Sequence, residues 1–213
     1  MSAPEPVAGL LNRPLSEVLG ALASQHDLAG GGGPAAALVA AAAAALTAKV
    51  ARGSRATWIE AGGAIAHAES LRMQAQALIE RDADAYRDAS SFLLRSERSA
   101  RRGVAAPAVV TPPPAASADR ERLVGEALTH AADLALAIAD MSSEITLLAA
   151  EVARSCPSWL RPDALTAVAL AEAATCAAAR LVDVNRQLHA DDPRRAASCD
   201  AAAAALQARE RAL

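Results

Sequence analysis

One helical stripe in this chain joins an acid to a phenol. Leu71, Ala75, Leu78, Asp82, Tyr86, Ala89 and Leu93 recur at three- and four-residue spacing, which puts them on one face with Asp82 and Tyr86 a turn apart. A carboxylate held among apolar neighbours must be paired, hydrated or driven toward its neutral form by desolvation. A group tuned in that way suits general acid-base work, so Asp82 and Tyr86 are the candidate catalytic residues. The structural alternative is an ion pair between Asp82 and an arginine of a neighbouring helix. Glu80, Asp84 and Asp88 are expected to face solvent.

A second feature is the run Gly30-Gly31-Gly32-Gly33-Pro34 ahead of an alanine-rich segment. Glycines opening a helix can present bare N–H groups to an anionic or carbonyl-bearing ligand, which makes Gly31, Gly32 and Gly33 candidate binding residues. The run is neither a P-loop, since no Gly-Lys-Ser/Thr follows, nor a dinucleotide fingerprint, since no strand precedes it. A flexible hinge is the plain alternative. Asn185 lies on an otherwise apolar surface with Ala178, Leu181, Val182 and Leu188, and its amide needs a partner in backbone, helix or ligand. Asp163, next to Pro162, complements the dipole at a helix start. His26, His67, His130 and His189 share no metal-ligand spacing; His67 and His130 are expected near core faces. Cys156, Cys176 and Cys199 form no pair that suggests a metal knuckle or a redox couple. No metal is expected. Arg98, Arg101 and Arg102 are expected on a solvated face.

The elements that must position these groups are helices. Alanine supplies 61 of the 213 residues, and leucine, arginine and glutamate dominate much of the rest, without strand-type alternation. Helices are expected near 14–25, 34–53, 56–99, 119–155, 162–190 and 193–212. Pro107, Pro112, Pro113 and Pro114 mark residues 103–118 as an extended linker inside one domain spanning 1–213. Leu123, Ala127, Ala131, Leu134, Ile138, Met141, Ile145, Leu148 and Val152 keep three-four spacing along a whole helix and read as core. Long helices with short turns and small residues predict an all-α antiparallel bundle. Alanine buries little area, so stability must come from close backbone approach and from assembly, and a homodimer is expected.

The net charge of −3 excludes the basic surplus of a nucleic-acid footprint. No basic n-region precedes apolar residues at the amino end, and the longest apolar run, Ala35 to Leu46, is shorter than a membrane span. A cytoplasmic protein without nucleic-acid or membrane partners is therefore expected. Arginine outnumbers lysine twenty to one, Lys49 being the single lysine.

Taken in order, these features resemble the cyclodeaminase/cyclohydrolase family. The resemblance is carried by Leu22-Ala23-Ser24, the glycine run, the following Ala-Ala-Leu, Leu78-Ile79-Glu80-Arg81-Asp82-Ala83-Asp84-Ala85-Tyr86, Pro162-Asp163 and Leu170-Ala171-Glu172-Ala173-Ala174. It covers residues 15–55, 68–95 and 120–190. Asp82 falls on the second aspartate of that family's LIDEDAxAY motif, Tyr86 on its tyrosine, and Asn185 on the last asparagine of its NVxIN ending. The resemblance implies an all-helical homodimer that opens or closes a cyclic amidine or iminium such as 5,10-methenyltetrahydrofolate, with a tetrahydrofolate derivative as substrate and no cofactor required. Asp82 would stabilise the amidinium-like carbon and move a proton. The glycine loop would cradle the pterin, Arg52 and Arg55 would meet a glutamate tail, and Asp163 and Asn185 would border the pocket. The chain departs from the family at Pro34, where a serine is usual, at Arg81, where an acid is usual, and at Leu181, which stands for the first asparagine of the ending. Two alternatives stay open: a paralogue acting on a non-folate nitrogen heterocycle in specialised metabolism, and a non-catalytic helical ligand-binding dimer. The state of Asp82 separates them, because an acid neutralised by an internal arginine with no adjoining cavity would rule out catalysis.

Overall fold

The structure, a computed structural model, describes residues 9–24, 31–103, 114–185 and 192–213, with the side chains of 86, 88–103, 114–121, 124 and 185 excepted. Among the described residues there is no strand, and six helices follow one another: α1 (Leu15–Ala23), α2 (Gly32–Gly53), α3 (Ala61–Gly103), α4 (Pro114–Ser155), α5 (Arg161–Asn185) and α6 (Arg194–Ala212). Single 3-10 turns, Leu10–Asn12 and Ser158–Leu160, precede α1 and α5. The all-helical class and the number of helices agree with the sequence. The boundaries shift where turn chemistry decides. Helix α2 starts at Gly32, two residues before Pro34, and residues 54–60 form a turn because Ser54 and Trp58 close hydrogen bonds back onto α2 and onto Ser54. The expected linker 103–118 is shorter at both ends, since Gly103 ends α3 and Pro114 opens α4, a position where its missing N–H leaves no bond unmade. The rest of that linker lies outside the described residues.

The bundle is assembled from α2, α3, α4 and α5, with α6 laid against α4 and α5. Helices α2 and α5 run antiparallel: Gly32 meets Leu181 at one end, and Lys49 pairs with Asp163 at 2.7 Å at the other. Helices α2 and α3 are likewise antiparallel, joining Gly33 to Asp82 at the first end and Arg52 to Glu69 at the second. His67 and Glu144, 2.7 Å apart, tie α3 to α4.

Small side chains fill the seams. Ala37, Ala40, Ala43, Ala44, Ala48 and Ala51 of α2 are fully buried, as are Ala167, Ala171 and Ala178 of α5, around the larger Leu71, Ile138, Ile145, Val152, Val168 and Val182. Each buried methyl contributes roughly 1 kcal/mol, so the gain comes from the number of contacts and from the short distance between axes that alanine permits. At Gly53 the packing is tighter still, because a Cβ there would stand 2.7 Å from Leu160 Cδ1. The expected α4 core stripe is buried from Leu134 to Val152, but Leu123 and Ala127 emerge from it and line an open groove.

Two segments, Gly32–Gly53 and Ser158–Val184, are long and apolar enough to cross a membrane, which corrects the expectation that no stretch reaches that size. Both are central helices of this bundle, and 61% of the apolar window of the first and 39% of that of the second are buried inside it.

Because the α2 seams have no spare volume, Ala44→Leu should lower stability by about 1–3 kcal/mol. The exposed neighbour substitution Ala42→Leu should change it by less than about 0.5 kcal/mol, both read as urea midpoints at constant slope.

Candidate active site at the start of helix α2

Gly31 is extended and caps α2 without a side-chain hydrogen bond, and Ala35 N–H closes the first helical bond onto the Gly31 carbonyl at 3.2 Å. Gly32 and Gly33 are thus the first helical turn. Their N–H groups fall among those that an α-helix leaves without an intrahelical partner. They are not the flexible hinge of the plain alternative, while Gly30 lies outside the described residues. No glycine in the described chain needs a left-handed backbone, and what position 33 requires is space. Any Cβ there would fall inside the van der Waals shell of the Asp82 carboxylate. Gly32 lies against Leu181, 3.1 Å from where its own Cβ would be.

Asp82 therefore stands over the positive end of α2, half-buried, with the apolar face of its own helix behind it. Among the described residues it has no arginine partner. Burial pushes its carboxyl up from the ordinary carboxylate range to about 6, and the charge of His130 across on α4 pulls the other way. A carboxyl at that value is available in both protonation states near neutral pH.

Beside it, Arg81, Asp84 and Ala85 of α3 face Leu123, Glu126, Ala127 and His130 of α4 across an open groove of about 380 Å³. His130 is exposed on this groove, and His67 is exposed where it meets Glu144, so neither is the core histidine expected. A smaller apolar cleft of about 140 Å³ lies on the other side of Pro34, lined by Leu10, Leu15, Val18, Leu38 and Ile79. Glu80 faces that side. It accepts the Leu11 N–H at 2.7 Å and so anchors the first 3-10 turn instead of pointing into solvent.

The other candidates divide between the two ends of the bundle. Helix α2 carries Arg52 roughly 28 Å from Gly33 at 1.5 Å per residue, and Arg55 sits in the exposed turn just beyond. Arg52 is bound to Glu69, whose carboxyl Arg52 and Arg72 together hold below the usual range. Asp163 is in the first turn of α5 at the same far end, engaged by Lys49. Arg52, Arg55 and Asp163 are therefore not brought together with Asp82 within one chain. Asn185 is the last residue of α5 and falls at the Gly32 end, but its side chain and that of Tyr86 lie outside the described residues, as do Gly30, His26, His189 and the side chains of Arg98, Arg101 and Arg102. Among the described residues no three His, Cys, Asp or Glu side chains converge as metal ligands. The sequence assigns no site role to His130, expected near a core face, or to Arg81, which stands where the family has an acid; their three-four spacing with groove neighbours on α4 and α3 is the signal that places them together.

An all-α bundle with a desolvated acid over a glycine-opened helix defines the class of arrangement, and the comparisons give it a family. The sequence model of Formiminotransferase-cyclodeaminase matches residues 14–205, and the chain belongs to that family. Its fold is similar to that of the formiminotetrahydrofolate cyclodeaminase from Thermotoga maritima, with a TM-score of 0.73 over 95% of each chain at 18% identity. Among curated proteins no sequence matches this chain significantly.

Since the folded state raises the Asp82 pKa, the group favours folding while protonated, and that contribution is lost as pH rises through about 6. Asp82→Asn should therefore raise the melting temperature at pH 7.5 and leave it nearly unchanged at pH 4, measured by calorimetry. A lower melting temperature at pH 7.5 would show that the carboxylate is instead stabilised by its surroundings.

Proposed function

We propose that this protein is a cyclodeaminase-type enzyme acting on a formimino- or methenyl-bearing tetrahydrofolate, as a homodimer in the cytoplasm. The observation that carries this reading is the Asp82 carboxyl, free of any arginine among the described residues and tuned to about 6, standing at Gly33 beside an open groove. In the deaminating direction a ring-closing nitrogen adds its lone pair to the carbon of the protonated, amidinium-like formimino group, and the C=N electron pair moves onto the iminium nitrogen, which becomes a neutral amino group. Asp82 takes the proton from the nitrogen that attacked. It returns that proton to the amino group, whose C–N bond then breaks to release ammonia and leave the methenyl bridge. As the amidinium-like carbon gains positive charge, the ionised carboxylate opposite it lowers the barrier. In the hydrolytic direction the same carboxylate accepts a proton from attacking water.

The positive end of α2 complements this role. The N–H groups of Gly32 and Gly33, which lie in the first turn and so lack intrahelical partners, suit a carbonyl or a ring nitrogen of the bound heterocycle. Leu181 against Gly32 makes this wall apolar where the family's ending has asparagine, which favours a flat ring over a polar chain at that point. The same substitution supports the second reading, a paralogue acting on a non-folate nitrogen heterocycle.

Purified protein should produce or consume the methenyltetrahydrofolate absorbance with a rate that falls as pH drops through about 6, because the ionised form of Asp82 begins the proton cycle. Asp82→Asn should lower the rate by about 10²–10⁴-fold. No acceleration by the wild-type protein with either formimino- or methenyltetrahydrofolate would eliminate the folate assignment and leave the non-folate ring. Light scattering at micromolar concentration should give twice the chain mass, and a monomer would contradict the assembly.

A further inference from the structure

The groove beside Asp82 contains four charged or titratable side chains, and they are not equivalent. Asp84 is held by Arg87 at 2.6 Å, and Glu126 is held by Arg122 at 2.8 Å. Both acids of the groove are thus compensated by arginines on their own helices, one turn away. Arg81 has no ion-pair partner among the described residues, although 24 acidic side chains are available in the chain, and His130 makes no salt bridge there but lies close enough for its charge to act on Asp82. They face each other across the seam: Arg81 shares a helical face with Asp84 and Ala85, and His130 shares one with Leu123, Glu126 and Ala127. The groove is also of ligand size, at about 380 Å³, within the roughly 300–1,000 Å³ of small-molecule sites.

An arginine fork left free at the wall of a groove is built for a planar anion, because its parallel N–H donors match both oxygens of a carboxylate. His130 adds a donor from the opposite wall. Apolar Leu123, Ala85 and Ala127 between them suit the carbon frame that carries such a group.

We infer that Arg81 and His130 form a carboxylate subsite, which selects substrates bearing a carboxylate on a short apolar arm beside the ring that Asp82 attends. The subsite takes over the role expected of Arg52 and Arg55, which the fold carries to the other end of the bundle. The inference rests on the reading above for the position of the reacting ring, whereas the subsite itself is defined without turnover. Two ligand portions share this chemistry: the glutamate of a folate-type tail and a carboxylate borne directly by a pterin-like ring.

The test is calorimetric binding of 4-aminobenzoylglutamate, of its neutral diamide and of pterin-6-carboxylate to the full-length protein, with the His130 ring proton followed by NMR. At least one carboxylate probe should bind and shift the His130 resonance, the diamide should bind at least about tenfold more weakly, and Arg81→Glu should weaken the carboxylate probe by a similar factor. Arg154→Glu, the same charge reversal in the last turn of α4 at the far end, should leave the dissociation constant unchanged. Because Arg81 is exposed, the helical content and melting temperature of Arg81→Glu should match wild type, so a loss of binding is not a loss of fold. Binding by 4-aminobenzoylglutamate alone assigns the subsite to a tail, and binding by pterin-6-carboxylate alone assigns it to the ring. Failure of both probes to bind, equal affinity for the diamide, or indifference to Arg81→Glu overturns the subsite. Arg81-dependent binding without turnover of any folate would instead leave the subsite standing and remove the catalytic assignment.

Discussion

Everything in this bundle depends on how closely helix α2 can approach its neighbours. A helix whose buried face is Ala37, Ala40, Ala44, Ala48 and Ala51 brings its axis nearer to α3 and α5 than a leucine face could, and at Gly33 the last obstacle, the Cβ, is gone as well. That approach lets the Asp82 carboxylate reach the positive end of α2. Aromatic residues make up only 2% of the chain, because there is little room for them in such seams. The same economy explains why the core relies on many small contacts around a few branched side chains.

The close approach has an electrostatic consequence. Asp82 is pressed into a half-dry position and keeps no guanidinium beside it among the described residues, in a chain with 20 arginines. Where arginines meet acids across elements, as Arg52 of α2 meets Glu69 of α3 or Arg194 of α6 meets Asp133 of α4, the pairs fasten one element to another away from Asp82. An acid left without a paired cation in a half-buried position lowers stability, and this cost is retained where Asp82 meets the glycine-opened start of α2. Only the charge of His130 moderates it.

The sequence made the helices legible because their signal is local. Alanine content and three-four periodicity define them within a few residues, and the errors fell where backbone bonds in a turn decide, as at 54–60, or where proline begins a helix instead of ending a linker, as at Pro114. Asp82 was legible for a related reason: one acid in an apolar stripe is visible on a helical wheel. Its departure from the ordinary carboxylate range needed the α2 backbone packed over it, and no spacing along α3 encodes that.

The sequence by itself determined a helical bundle, an acid placed to be desolvated and the order of motifs shared with the family. The tertiary structure decided which of the candidate groups share a site. Arg52 and Asp163 stand near motif residues in the chain, yet antiparallel packing of α2 against α3 and α5 sends them to the opposite end, where Glu69 and Lys49 hold them. Arg81 and His130, to which the sequence assigns no site role, meet across a groove because the same antiparallel rule brings residue 81 of one long helix beside residue 130 of the next. Helical periodicity acts over a few residues and can be read from them, whereas juxtaposition over tens of residues depends on how the helices stack, and that is settled only when their small faces close.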